Sequence, residues 1–274
     1  MSVWEFTKVK ATVQPRCAVS QRDAKTMFPP IPWFPEARLN FAQNMLESPF
    51  APTCTDVSVI IGVREEGRDV EYLSLLDLKS RVGQLSNALR RAGLQPLDRV
   101  ACIGSNSITT MVVFLATASI GAIFTCCSPE LGAKGILDRL LQVRPKIMFA
   151  DDWVLYNGKK ASCLKKIAAV STRLEKEANL ETVVLIPRFP DLISQSQPSA
   201  SCVFDTFIEG AATEISYSHA PFSHPLVIVY SSGTTGQPKC LVHSCGGVLL
   251  KQKVEQILSI DMGPESVLLQ YSSV

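Results

Sequence analysis

The chain has 274 residues, 46% of them hydrophobic and 19% charged, with Lys+Arg 27 against Asp+Glu 25 and a formal net charge of +2. This is material for one large or two small packed domains, and it excludes disordered, collagenous and coiled-coil chains. A charge so close to balance gives no field that would gather nucleic acid or an anionic membrane.

Residues 1–27 carry little pattern. The stretch MFPPIPWFP (27–35) is rich in proline, which denies it a helix and predicts an extended arm lying across a neighbouring domain. RLNFAQNML (38–46) predicts a short amphipathic helix. Residues 57–61 and 70–73 are strand-like around the polar turn GVREEGRD and predict a β-hairpin. Ser74 and Asp77 have capping-box spacing, and Leu78, Val82, Leu85, Leu89 and Ala92 form one helical stripe that Gly93 ends. A strand follows at 99–103, then a helix capped by Ser105 or Asn106 and ended by Gly121, then a strand at 122–126.

The region 100–129 has no charge, yet Thr117, Ser119 and Thr125 interrupt its most apolar part. That part falls short of the ~20 apolar residues a membrane span needs, so a buried helix leading into a buried strand is expected. A helix over 131–143, a strand over 146–150, a Lys-rich helix and a strand over 182–186 continue the alternation. Strands apolar throughout and separated by helices predict an α/β fold, doubly wound, with a parallel sheet covered on both faces. Residues 187–225, with their Ser, Gln and Pro clusters, read as a surface excursion with one apolar interruption at 203–208. Strands at 226–230 and 240–243, a helix near 247–258 and a strand starting at 267–270 complete the chain.

The cysteines number nine, an odd count at irregular spacing, and the opening MSVWEFTKVK has no long apolar run. Reduced, mostly buried thiols and a cytoplasmic protein are therefore expected. Cys240, His243 and Cys245, with His219 and His224 upstream, raise the question of zinc. Their spacing is unusual for zinc and strand alternation parts 240 from 243, so buried thiols and a loop histidine are expected, with no metal site. Asp151–Asp152 can bind a cation or cap a helix. The basic pairs at 90–91, 159–160 and 165–166 read as solvated faces rather than a nucleic-acid groove.

Residues 226–247 read LVIVYSSGTTGQPKCLVHSCGG. An apolar strand enters a loop with hydroxyls at Ser231, Ser232, Thr234 and Thr235, glycines at Gly233 and Gly236, and a cation at Lys239. Small side chains let backbone N–H groups close around phosphate oxygens. The hydroxyls add donors, and the rigid Pro238 aims a point charge. The P-loop, dinucleotide and hydrolase-elbow patterns are all absent. On these residues alone, a mobile Ser/Gly/Thr turn between two strands explains the segment equally well.

The string SSGTTGQPK (231–239) resembles the phosphate-binding signature of the adenylate-forming enzymes, which include acyl-CoA synthetases, luciferases and peptide-synthetase adenylation domains. WFPEARLNFAQNML (33–46) resembles the amino-terminal cap of the short-chain acyl-CoA synthetases. PFSHPLVIVYSSGTTGQPKCLVHSCGG (221–247), with Cys rather than Gly after the Pro-Lys pair, is similar to the acetoacetyl-activating branch. So are residues 118–150 and YNGKK at 156–160. The likeness runs from about Trp33 to the last residue and is loose over the first 27.

This resemblance implies part of the family's large N-terminal domain, with parallel and mixed sheets covered by helices. Its layout would be an ill-defined segment 1–27, a cap 28–56 and an AMP-binding domain 57–274, incomplete at its C-terminus. It implies that ATP, with Mg²⁺, activates acetoacetate to an acyl-adenylate, which coenzyme A then takes as a thioester. By motif position, Ser231, Ser232, Gly233, Thr234, Thr235 and Gly236 would wrap the β- and γ-phosphates, and Lys239 would hold the loop or the leaving group. Lys159 is either a contact for the coenzyme A phosphate or a solvated surface lysine.

The family's nucleotide-stacking, ribose-binding, hinge and catalytic-lysine motifs find no match before Val274, so an incomplete chain is expected. An acetate or propionate ligase, and a truncated inactive product that binds nucleotide or pairs with a full-length relative, are the alternatives. The purified 274-residue chain is expected to show no acetoacetate-dependent exchange between ATP and pyrophosphate, and measurable exchange would overturn that expectation.

Overall fold

The computed structural model describes residues 3–19, 31–49, 56–67, 69–189, 192, 201–231 and 236–269. A short helix α1 (Val3–Phe6) opens the chain. The helix expected across 38–46 divides in two. Arg38–Leu39 forms a strand β1, and α2 (Phe41–Leu46) starts only after Asn40, whose side chain accepts from the Gln43 N–H. The expected hairpin is β2 (Ser58–Gly62) against β3 (Glu71–Ser74), antiparallel. Helix α3 (Leu75–Arg91) begins where the Ser74 hydroxyl accepts from the Asp77 N–H, and it buries Leu78, Val82, Leu85 and Leu89.

Strand β4 (Arg99–Ile103) leads to α4 (Ile108–Ile120). Ser107, not Ser105 or Asn106, caps this helix, and Gly121 at φ 80 ends it. The alternation continues through β5 (Ile123–Cys127), α5 (Ala133–Val143) and β6 (Ile147–Asp151). An antiparallel hairpin, β7 (Trp153–Tyr156) with β8 (Lys159–Ser162), precedes α6 (Leu164–Ala178) and β9 (Thr182–Ile186). Then come β10 (Ser201–Val203), α7 (Phe204–Ile208), β11 (Ala220–Pro221), β12 (Pro225–Ser231) and β13 (Lys239–Ser244). Helix α8 (Cys245–Val254) runs on as a π-helical turn, Glu255–Ser259.

Seven strands form one sheet in the order β10-β9-β6-β4-β5-β12-β13. All pairs are parallel except β12 with β13. Alternation sends Val100 and Cys102 to a core with α2, α3, α4 and α8, and Ala101 and Ile103 to a core with α5 and α6. The α/β fold covered on both faces is therefore present as expected.

Two further expectations change. The region 187–225 is not wholly a surface excursion, because Ser201–Val203 pairs parallel with Val183–Leu185 and extends the sheet. Residues 267–269 form no strand, and 270 lies outside the described residues. Of the proline-rich arm, 27–30 also lie outside them. Phe34 inserts its ring between Trp4 and Phe222, with centroids 4.9 and 5.0 Å away. No described helix is long and apolar enough to cross a membrane.

Polar side chains on α3 bind the return segment by its carbonyls. Asn87 Nδ2 donates to Ala212 and Glu214 at 2.8 Å, Arg90 to Ser216 at 2.7 Å and Arg91 to Phe207 at 2.8 Å. The segment lies so close to α3 that a Cβ on Gly83 would stand 1.7 Å from the Thr213 carbonyl oxygen. Helix propensity favours Gly83→Ala by about 1 kcal/mol, while overpacking against backbone costs about 1–3 kcal/mol. Packing should win: urea denaturation of Gly83→Ala is expected to show a net loss of stability, and a gain would mean the segment yields freely.

Candidate functional site

Connections leave β4 and β5 toward opposite faces, since α4 packs in one core and α5 in the other. The carboxyl ends of two such strands form the crevice where open parallel sheets admit ligands. Strand β12 runs parallel beside β5, so the hairpin it opens leaves from this same edge. Ser231, at the end of β12, is paired with Lys239, at the start of β13. Lys239 is exposed, Ser231 is half-buried, and Gly236 has φ +87 with no atom of another described residue within 4 Å of an added Cβ. Of the expected phosphate residues, the structure thus carries Ser231, Gly236 and Lys239 on one hairpin. Ser232, Gly233, Thr234 and Thr235 lie outside the described residues.

The stems of this hairpin are held by groups that the sequence reading did not single out. The Thr125 hydroxyl, buried in β5, lies 2.8 Å from both the Ile228 carbonyl oxygen and the Tyr230 hydroxyl. The Arg139 guanidinium on α5 stands 5.4 Å from the centroid of the Tyr230 ring. One helical turn on, Gln142 Nε2 donates to the Pro238 carbonyl at 3.1 Å, and its Oε1 accepts from the Cys240 thiol at 3.7 Å. No sequence signal marks these partners, because they meet only through the sheet order.

The thiols nearby are packing groups. Cys102 and Cys126 are register partners on β4 and β5. The Cys102 thiol, hydrogen-bonded to the free Cys126 thiol and fully buried, sits well above its ordinary pKa. Burial, then the neighbouring Cys126, pushes the Cys127 thiol up to about 12. Such thiols stay protonated and are poor nucleophiles.

Asp151 and Asp152 act as fasteners rather than helix caps. Asp151, fully buried, accepts from the Ser105 N–H at 2.8 Å and faces the Arg188 guanidinium at 3.6 Å. Its Oδ1 has no hydrogen-bond partner among the described residues. Asp152 accepts from the Arg188 N–H at 2.9 Å. The loops after β4, β6 and β9 are thereby tied together. Histidines and cysteines are likewise dispersed: His219 pairs with Gln43, His224 with the Gly121 carbonyl, and Cys245 is buried at the start of α8. Among the described residues, no group of three or more His, Cys, Asp or Glu converges to hold a metal.

Lys159 is exposed at the start of β8, on the hairpin that follows β6 at the same sheet edge. The turn before it is closed by Glu65, whose carboxylate accepts from the Asn157 and Gly158 N–H groups at 2.9 and 2.7 Å. Lys160 instead lies over the Phe189 ring, 4.2 Å from its centroid. A cavity of about 840 Å³ opens beside Asp152, Phe189, Arg81 and Asp205, and the described residues of the hairpin, 231 and 236–239, do not line it.

Residues 52–274 match the family described as AMP-binding enzyme, and the chain belongs to that family. Within it, the chain is similar to acetoacetyl-CoA synthetase of Mus musculus, at 36% identity over 100% of this chain and 41% of the relative. Malonamoyl-CoA synthetase vrtB of Penicillium aethiopicum is also 36% identical, over 95% of this chain and 36% of the relative. Among solved structures, acetoacetyl-CoA synthetase from Streptomyces lividans superposes with a TM-score of 0.87 at 32% identity, covering 99% of this chain and 40% of that one. The chain thus spans 36% to 41% of the length of these relatives.

Burial raises the Asp151 carboxyl pKa, against the opposing pull of Arg188 and Ser105. A carboxyl raised on folding binds its proton more tightly in the folded chain. Its contribution to stability is therefore present below the ordinary carboxylate range, near pH ~4, and fades as pH rises through the folded value. Urea denaturation should show the stability of the unsubstituted chain falling relative to Asp151→Asn as pH rises through that window. A pH-independent difference would rule out this linkage.

Proposed function

We propose that the chain supplies the scaffold and the nucleotide-phosphate grip of an ATP-dependent acid–thiol ligase whose acid is acetoacetate. The observation that carries this reading is the Ser231–Lys239 hairpin at the carboxyl edge of the parallel sheet. It presents a hydroxyl and an exposed ammonium on paired stems, with a left-handed glycine, Gly236, between them. That donor set suits phosphate oxygens, and a left-handed glycine keeps side-chain bulk from the approach.

In this reading, adenylate formation builds negative charge on the departing pyrophosphate, and the exposed Lys239 ammonium neutralises part of it in place. Ser231, with Ser232 to Gly236, would donate to the β- and γ-phosphates. Mg²⁺, a hard cation, would bring its charge to the phosphate oxygens of the nucleotide. Lys159, on the neighbouring hairpin at the same edge, is our candidate for a phosphate of coenzyme A. A layout of segment 1–27, cap 28–56 and AMP-binding domain 57–274 belongs to this reading, and the family match over residues 52–274 bears on the last of these alone. The free thiols described fit a reducing compartment such as the cytoplasm.

The similar enzymes named for acetoacetate support that acid. A second reading, malonamate, is favoured by the Penicillium relative. Both acids place a carbonyl on the carbon next but one to the carboxylate, and they differ by a methyl against an amide NH₂. The substrate class is therefore a short 3-carbonyl carboxylate. A pocket that satisfies the amide donors would select malonamate, and an apolar one acetoacetate.

Calorimetric titration of the chain tests the phosphate grip. Lys239→Ala is expected to weaken ATP and pyrophosphate binding about tenfold or more, the scale of a charge-assisted hydrogen bond, while AMP binding is unchanged. Equal loss for AMP and ATP, or no loss for either, would defeat the assignment.

A further inference from the structure

We infer that Gln142 is a positioning residue that sets the direction of Lys239. The inference rests on the phosphate-grip reading above. Gln142 lies near the end of α5, on a face of the sheet opposite α4, yet its carboxamide reaches the outgoing stem of the hairpin. Nε2 donates to the Pro238 carbonyl at 3.1 Å and to the Asp138 carbonyl, one turn back on its own helix, at 2.6 Å. Oε1 accepts from the Cys240 thiol at 3.7 Å. The two hairpin groups it holds are the immediate neighbours of Lys239, one on each side.

A carboxamide is suited to this task because it donates through nitrogen and accepts through oxygen at once, which an ionised carboxylate or an ammonium cannot do. The bond to Asp138 fixes the amide plane, so the pair of contacts to Pro238 and Cys240 is set by a rigid helix rather than by a free side chain. The same helix steadies the incoming stem, through Arg139 over the Tyr230 ring. Helix α5 therefore holds both sides of the hairpin, and Gln142 holds the side that carries the ammonium.

The stem is exposed at Gln142, so water replaces the lost bonds when the amide is removed, and little stability goes with them. What is lost is the orientation of Lys239. Gln142→Leu is expected to weaken pyrophosphate and ATP binding about three- to tenfold, the scale of one or two exposed hydrogen bonds. AMP binding and the melting temperature should stay as they were. Gln142→Glu, which keeps the shape and loses the donor, should behave alike. In a Lys239→Ala background, Gln142→Leu should have no further effect, because there is no ammonium left to orient.

Calorimetry on the full 274-residue chain, with pyrophosphate, ATP and AMP as probes, separates the outcomes. Additive losses from the two substitutions, an equal loss for AMP, or no loss in Gln142→Leu while Lys239→Ala is impaired would each overturn the positioning role alone. If the unsubstituted chain binds neither pyrophosphate nor ATP, or Lys239→Ala leaves both intact, the phosphate-grip reading falls and this inference falls with it.

Discussion

One buried hydroxyl joins the β12–β13 hairpin to the parallel core. Strands β4 and β5 share a full ladder from Arg99–Ile123 to Ile103–Cys127, whereas β12 meets β5 only at Val227–Phe124 and Ile228–Thr125. Across that short seam, Thr125 reaches the Ile228 carbonyl and the Tyr230 hydroxyl, both at 2.8 Å. A fully buried hydroxyl is costly unless it is bonded, and here it stands in for the missing rungs of the ladder. Burial, followed by the unfavourable neighbourhood of the Cys127 thiol, also holds the Tyr230 phenol far above its usual range, so the second partner stays a neutral hydrogen-bonding group. Valine would fill the same volume and leave the seam with its two backbone pairs alone.

The sheet edge sorts its charges by depth. Asp151 and Arg188 are inward, share the loops after β4, β6 and β9, and fix the frame. Lys239 and Lys159 stand outward on two hairpins that rise from that frame. Buried charges of this kind add little net stability, but removing one partner strands the other in a poor medium. A rigid frame beneath exposed cations is what a polyanion site needs: the attraction remains available, and the geometry is already set.

Much of the architecture was legible because it obeys short-range rules. Strands at Arg99–Ile103 and Thr182–Ile186 declare themselves as apolar runs between turns, and α3 declares itself through Ser74 and its stripe of leucines. The reading failed where the pattern is weak. Lys159–Ser162 is exposed throughout and shows no alternation, so the β7–β8 hairpin was invisible. Ser201–Val203 sits among Ser and Pro and is a strand only because β9 offers it an edge. At the site, a family resemblance pointed to Ser231 and Lys239. The supports came from elsewhere: Thr125, Arg139 and Gln142 lie a hundred residues or so upstream and are unremarkable in composition.

The tie between the two ends of the described chain bears on the order of assembly. Lys253, buried in α8, donates to the Thr7 carbonyl at 3.2 Å at the end of α1. Trp4 and Phe34 stack toward Phe222, and the Phe222 ring lies where a Cβ on Gly246 would have to be. Groups far apart in sequence, Trp4 with Phe222 and Thr7 with Lys253, thus pack together. Until Phe222 is in place Trp4 has only Phe34 for an aromatic neighbour among the described residues, and such a half-matched apolar surface invites wrong company. Contacts of such long sequence separation cost loop-closure entropy before they reward it, so α1 docks late on the scaffold it covers.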